Sequence, residues 1–207
     1  DADNDGDPDL YVSVATTKDS ALPSNYLYYE NRRSAGYVEI GQVNGTALTS
    51  DAGHSGFSIA MGDYDRDGWL DAHTCQWNPR GGNRQSILLH NRGRVAPGSF
   101  ENLTLDAGAD IYSGKRSFAW SSSFSDLDRD GWPDLVLTGD FGTSRLFWNR
   151  KGKFVDGTDF ARVGTDENGM GMAIGDYDGD GLFDLFVTSI FDPNPDSANP
   201  WGVTGNR

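Results

Sequence analysis

Hydrophobic residues along this chain come in short runs of a recurring kind, and the runs follow one another in a fixed order. One run stands directly after an acidic phrase: Leu10 to Val14, Ala72 to Cys75, Leu135 to Thr138 and Leu185 to Thr188. A second ends in asparagine: Tyr26 to Asn31, Ile87 to Asn91 and Arg145 to Asn149. A third, shorter run follows a turn: Tyr37 to Ile40, Ser99 to Asn102 and Lys153 to Asp156. The last run leads into the next acidic phrase and alternates small with bulky side chains. Ser58, Ala60 and Gly62 alternate with Phe57, Ile59 and Met61; Ser121, Ser123 and Ser125 with Trp120, Ser122 and Phe124; Gly171, Ala173 and Gly175 with Met170, Met172 and Ile174. A period of two predicts strands, and a face kept small suits a strand lining a crowded axis. The 27 glycines and frequent Asn/Asp punctuation break every candidate long helix.

The acidic phrase is Asp-x-Asp-x-Asp-Gly-x-x-Asp, at residues 1–9, 63–71, 126–134 and 176–184. Its copies begin 62, 63 and 50 residues apart. That period lies near the roughly 40–50 residues of propeller blades and above the roughly 20–35 of most solenoids. Four short strands per unit, arranged radially, predict an all-β fold: a β-propeller of four-stranded blades, with residues 1–207 forming a single domain.

The four loops, the asparagine-ended second strand and the small-residue strand before each loop resemble FG-GAP/VCBS repeats, the calcium-binding blades of integrin α-subunit propellers and of many secreted bacterial proteins. The resemblance covers essentially the whole chain. Gly169 to Ile190 and Leu146 to Asp156 further resemble the cartilage acidic protein and ASPIC/UnbV group. It implies about three and a half blades here, a segment of a seven-bladed ring completed by the remaining blades of its own chain. The rival expectation is a half-propeller closed by a second copy, because an isolated arc leaves open sheet edges.

Carboxylates at alternate positions of a tight loop are the donor set of a hard cation. Calcium takes six to eight oxygens at loose geometry. The expected side-chain ligands are Asp1, Asp3, Asp5 and Asp9; Asp63, Asp65, Asp67 and Asp71; Asp126, Asp128, Asp130 and Asp134; and Asp176, Asp178, Asp180 and Asp184. Backbone carbonyls of Asp7, Trp69, Trp132 and Leu182 complete each set, giving up to four Ca²⁺ ions. An EF-hand would carry glutamate at position 12, where this chain has Val12, Thr74, Leu137 and Val187 on strand-like sequence. Magnesium keeps more of its waters, and zinc or iron would call for His or Cys in the loops. With sixteen aspartates committed to coordination, the expected role of the metal is structural.

Composition sharpens this picture. Of 31 acidic residues, sixteen are these loop aspartates; the other 15 face 17 basic residues, so the net charge of −14 is concentrated in the loops. No basic patch favours nucleic acid and no apolar run approaches the roughly 18 residues of a membrane span. Cys75, the one cysteine, permits no internal disulfide and reads as a small strand residue. Asn44-Gly45-Thr46 and Asn102-Leu103-Thr104 are glycosylation sequons.

The segments between first and second strands vary most and fall on one face, where repeat proteins commonly bind partners. The partner-binding candidates there are Trp77, Arg80, Arg84, Asp140, Phe141, Asp192 and Trp201. Trp69 and Trp132 read as packing between blades, and Trp120 and Trp148 as core. His73 and His90 fall on strands as structural histidines, and His54 stands apart from both. No nucleophile, zincin or phosphate-loop motif occurs. The expectation is a non-catalytic, calcium-binding adhesion or interaction scaffold for a protein or glycan partner, extracellular, cell-surface or periplasmic. Two alternatives stand beside it. Some relatives of the resembled family are polysaccharide lyases, which keeps a lyase-like enzyme in view; the other is a structural subunit of a larger assembly.

Overall fold

The computed structural model describes residues 1–15, 24–48, 55–78, 86–110, 117–164 and 168–190. Within them the repeats become the blades of a partial β-propeller. The first blade holds β1 (Leu10–Ser13), β2 (Tyr26–Asn31) and β3 (Tyr37–Glu39), paired in that order. The second holds β4 (Ser55–Gly62), β5 (Asp71–Asn78), β6 (Ile87–Asn91) and β7 (Phe100–Asn102). The third repeats it with β8 (Ser117–Ser125), β9 (Asp134–Gly139), β10 (Arg145–Asn149) and β11 (Phe154–Asp156). In the fourth, β12 (Gly169–Gly175) pairs with β13 (Asp184–Ser189). Every pairing is antiparallel, so the second and third blades are the four-stranded meanders that the repeat predicts. Helix is confined, among the described residues, to single turns such as α1 (Gly41–Asn44) and α2 (Thr158–Ala161).

The core lies between blades. Tyr28 of the first blade packs with Ala72, Leu89 and Phe100 of the second. Leu88 and Cys75 of the second pack with Leu135, Leu137, Phe147 and Phe154 of the third. Each large side chain so buried contributes about 1.5–3 kcal/mol. The Cys75 thiol is pushed up to about 12 by complete burial, which makes it an inert packing group.

Adjacent blades are also clipped by their backbones, where the chain just after one loop's following strand, or that strand itself, meets the strand before the next loop. Gly56 N donates to Val14 O at 3.2 Å, and β5 pairs with β8 at Trp77–Phe118 and Asn78–Ser117. The backbones approach closely at Gly108 (φ +80°), where a β-carbon would lie 2.5 Å from the Phe154 carbonyl of the next blade. Gly45 (φ +87°) meets Phe100 O in the same way one blade earlier.

Two sequence expectations are corrected. The strand before each later loop (β4, β8 and β12) does not alternate without interruption, because each carries a register shift at the same place: Gly56/Ile59, Ala119/Ser121 and Gly169/Met172. A bulge inserts a residue and turns side chains off the regular face. There Trp120 is half-buried, its ring tilted at 58° against Phe57 with centroids 4.2 Å apart. Trp148 is likewise half-buried, lying against Gly157 with Arg150 over its ring at 5.7 Å.

Candidate metal centre

Each acidic phrase folds into the same loop, leading into β1, β5, β9 or β13, and the last three copies are entered from β4, β8 and β12. The fourth residue is left-handed in every copy: Asn4 (φ 57°), Arg66 (60°), Arg129 (60°) and Gly179 (77°). The sixth is glycine at φ 84–92°, a conformation that costs a β-carbon-bearing residue about 1–2 kcal/mol. This path points the backbone N–H groups inward, and the carboxylates accept them. At position 1, Asp1, Asp63, Asp126 and Asp176 accept the N–H of Gly6, Gly68, Gly131 and Gly181 at 3.1, 3.0, 3.0 and 2.8 Å. At position 3, Asp3, Asp65, Asp128 and Asp178 accept the N–H of position 5 at 3.0–3.3 Å. At position 5, Asp5, Asp67, Asp130 and Asp180 accept the N–H of position 7 at 2.7–2.9 Å.

Position 9 is the anchor. Asp9, Asp71, Asp134 and Asp184 each accept the N–H of position 2, through Oδ2, at 2.9, 3.2, 2.9 and 3.1 Å. The Oδ1 atoms of Asp9, Asp71 and Asp134 accept the N–H of Asn31, Asn91 and Asn149 at 3.0, 2.8 and 2.8 Å. The sixteen carboxylates therefore serve the loop fold as well as any ion, a refinement of the purely coordinating role expected from spacing. The asparagines that end each second run close the arrangement. Asn91 and Asn149 Nδ2 donate to the position-8 carbonyls of Leu70 and Pro133, and also to Ala2 and Tyr64 in the preceding loop.

Carboxylate oxygens from different positions of each loop also converge. Ligand atoms lie within 4.8 Å of one another in Asp1/Asp3/Asp5, Asp63/Asp65/Asp71, Asp126/Asp128/Asp134 and Asp176/Asp178/Asp184. Asp126 Oδ1 is buried with no hydrogen-bond partner. A buried anionic oxygen left unpaired is costly, and a bound dication removes that cost. With its all-oxygen donors and loose spacing, the set fits calcium. Arginines partly neutralise the loops from outside: Arg150 reaches Asp128 and Asp130 at 2.7 and 2.9 Å, and Arg33 pairs with Asp7.

Crowding shows in the acid strengths. Burial first, and the neighbouring Asp65 and Asp67 charges next, push the Asp71 carboxyl up to about 8. Burial likewise raises Asp134, Asp65 and Asp3. At Asp9, burial also works upward, but donors from Ala2, Asn31 and Tyr28 outweigh it and hold the carboxyl below its usual range.

The loops also touch one another. Asn4 Nδ2 donates to Gly68 O at 3.2 Å. Arg66 Nη1 lies 3.3 Å from where a β-carbon on Gly131 would stand, and Arg129 Nη2 2.9 Å from the same point on Gly181. Position 4 of each loop thus leans on position 6 of the next. Trp132 joins this seam beneath Arg66, 5.4 Å from the ring centroid, as expected for packing between blades. Trp69 instead lies against Gly93 of its own blade.

One neighbour of the loops was not expected from sequence. His90 Nδ1 lies 3.4 Å from Asp65 Oδ2 and 3.2 Å from Asp71 Oδ1, because β5 and β6 pair Ala72 with Leu89 and so bring His90 across from Asp71. Its position before Asn91 was the available signal, but the strand register was needed to read it. His73, in contrast, is fully buried, with Nδ1 2.9 Å from Ser122 Oγ.

At the other end of β5 and β9, three partner-binding candidates come together. Trp77 Nε1 donates to Asp140 Oδ2 at 3.1 Å; the Trp77 and Phe118 rings are 5.2 Å apart, and Phe118 and Phe141 4.6 Å. Phe141 is 43% exposed while Asp140 is buried. Arg80, Arg84, Asp192 and Trp201 lie outside the described residues, as does His54.

Antiparallel blades with cores between them, joined at Asp-rich loops of one geometry, define a propeller-type repeat protein. The profile of FG-GAP-like repeats matches residues 1–73 and 126–187, more than half of the chain, which therefore belongs to that family. The unmatched stretch carries β6, β7 and Asn91, whose contacts repeat those of Asn149. No curated protein matches the chain.

Proposed function

We propose that this chain is a non-catalytic interaction scaffold in which calcium at the aspartate loops stiffens one end of the blades and the opposite end meets a protein or glycan partner. The observation that carries the reading is the shared loop geometry: backbone N–H groups orient the carboxylates in every copy, and oxygens from three of those carboxylates converge within 4.8 Å. Without a cation, like charges crowd where strands begin, so binding opposes their separation. Affinity on the order of 10⁻⁴–10⁻³ M, as in extracellular modules, suits a calcium-rich space outside the cytoplasm. At the far end, Trp77 and Phe141 offer aromatic surface beside the Asp140 carboxylate, a combination suited to sugar stacking or to a peptide side chain. The complete burial of His73 supports a structural part for that residue.

Thermal melts with calcium and in excess chelator test the scaffold reading. Calcium is expected to raise the midpoint by many degrees, and an unchanged midpoint overturns the structural role. Glycan-array and pull-down binding, compared between the intact chain and Trp77→Ala, test the partner face; equal binding by both removes that assignment.

A further inference from the structure

The second loop differs from the others in its neighbours. The residue cross-strand to position 9 is Glu30 in the first blade, His90 in the second and Trp148 in the third, as the pairings Leu10–Tyr29, Ala72–Leu89 and Leu135–Phe147 require. Two of these give the loop another carboxylate or nothing that coordinates; the middle one gives it an imidazole. We propose that the loop at 63–71 is a transition-metal site, with His90 Nδ1 joining Asp65, Asp67 and Asp71 around a first-row dication such as Zn²⁺.

Three observations support this assignment. A ring nitrogen of His90 and carboxylate oxygens of Asp65 and Asp67 all lie within 4.8 Å of one another. The Nδ1 atom is buried and makes no hydrogen bond, although Asp65 Oδ2 and Asp71 Oδ1 stand 3.4 and 3.2 Å away. Those separations match two neighbouring ligands on a four-coordinate ion with bonds of about 2.0–2.1 Å, which stand about 3.3–3.4 Å apart. A nitrogen donor among carboxylates changes the preference of the loop, since imidazole favours zinc and its neighbours over calcium. The ring is positioned by Tyr64, which meets it edge-on at 6.2 Å, and Asp71 is held in place by the N–H groups of Asn91 and Tyr64. The proposal revises the calcium reading at this loop alone and leaves it in place at the other three, whose grouped donors are all carboxylates.

With three histidines in the chain, nitrogen NMR of ¹⁵N-histidine-labelled protein reads the site directly. The stripped chain is titrated with Zn²⁺ in about 10 mM calcium, above the range at which oxygen-only modules of this kind saturate. Expected is a shift of one histidine's Nδ1 that saturates at one equivalent and is missing in His90→Trp, which borrows the third blade's residue. Calorimetry on that variant is expected to show zinc affinity reduced by more than the roughly 10–100-fold typical of losing an outer-shell partner. Unshifted histidine nitrogens, or equal affinity in His90→Trp, overturn the proposal and leave His90 as an ion-pair partner of Asp65 and Asp71. Should His90→Trp fail to fold by circular dichroism, the wild-type titration decides alone.

Discussion

Asn149 holds Tyr64 from the next blade: its Nδ2 donates to the Tyr64 carbonyl at 2.7 Å across 85 residues, and to Pro133 O at 2.8 Å. Asn91 does the same for Ala2 and Leu70. One amide thus ties a loop to its own strand and to the loop before it. Both asparagines are fully buried. Replacing either by alanine leaves carbonyls without their donor, at about 1–3 kcal/mol per unsatisfied group. Asn149→Ala is expected to lose about 2–4 kcal/mol in urea unfolding, and a loss below 0.5 kcal/mol, the ordinary surface range, contradicts the bridging role.

The blade joints predict a ranking of glycine substitutions. Gly68 has φ +91° with nothing within 4 Å of a β-carbon, so Gly68→Ala carries backbone strain alone, about 1–2 kcal/mol. Gly108→Ala adds a collision with Phe154 O at 2.5 Å, where overpacking contributes roughly a further 1–3 kcal/mol. Denaturant midpoints should therefore fall more for Gly108→Ala. The reverse order would mean that the blades do not approach as closely as described.

His73 sets a loss of stability on the acid side. Burial lowers its pKa to about 3 from an ordinary 6.5, so the folded chain keeps it neutral while the unfolded chain takes up a proton. Its contribution is complete above about pH 6.5 and is lost as pH falls toward 3, by up to about 1.4 kcal/mol per unit. The difference in unfolding free energy between pH 7.5 and pH 5.5 should shrink in His73→Gln. An unchanged difference would assign the acid sensitivity elsewhere.

Asp71 acts in the opposite sense. Its carboxyl is raised from 3.8 to about 8, so the stability it contributes without a cation is complete below pH 3.8 and lost as pH rises through about 8. A cation reverses this by displacing the proton. Chelated protein should melt at lower temperature at pH 8.5 than at pH 6, and Asp71→Asn should flatten the difference. Cation binding near pH 7 should release protons, measurable by calorimetry in buffers of different ionisation enthalpy.

The two sequons are not equivalent. Asn44 is 4% exposed, and its Nδ2 donates to Gly98 O at 3.2 Å. Asn102 is exposed, with its Oδ1 capping Thr104 N and Oγ1. Folded chain recovered from a eukaryotic secretory host should carry glycan at Asn102 and none at Asn44, as read by glycopeptide mass spectrometry. Occupancy at Asn44 in folded protein would contradict its burial.

The strands β2, β6 and β10 were legible to the residue because each ends at an asparagine whose side chain is the reason for the ending. The loops were legible because a carboxylate at every second position and a glycine at φ near 90° leave few alternative folds. The bulges were not, since an extra residue between Gly56 and Ile59 changes pairing without changing the small–bulky rhythm. Trp120, inside the shift between Ala119 and Ser121, is half-buried where the rhythm alone predicts core. The place of His90 is not legible in sequence because its neighbours lie across a strand pair, in a register that no local pattern states.

The lean of Asn4 on Gly68, Arg66 on Gly131 and Arg129 on Gly181 runs in one direction only. Each repeat therefore carries a plug at its fourth loop position and a socket at its sixth, both within nine residues of contiguous sequence. A gene that duplicated or excised one whole unit would rejoin plug to socket at the new junction. Circumference could drift over evolutionary time without a new joint being invented, constrained by how tightly the wedges of neighbouring blades fit.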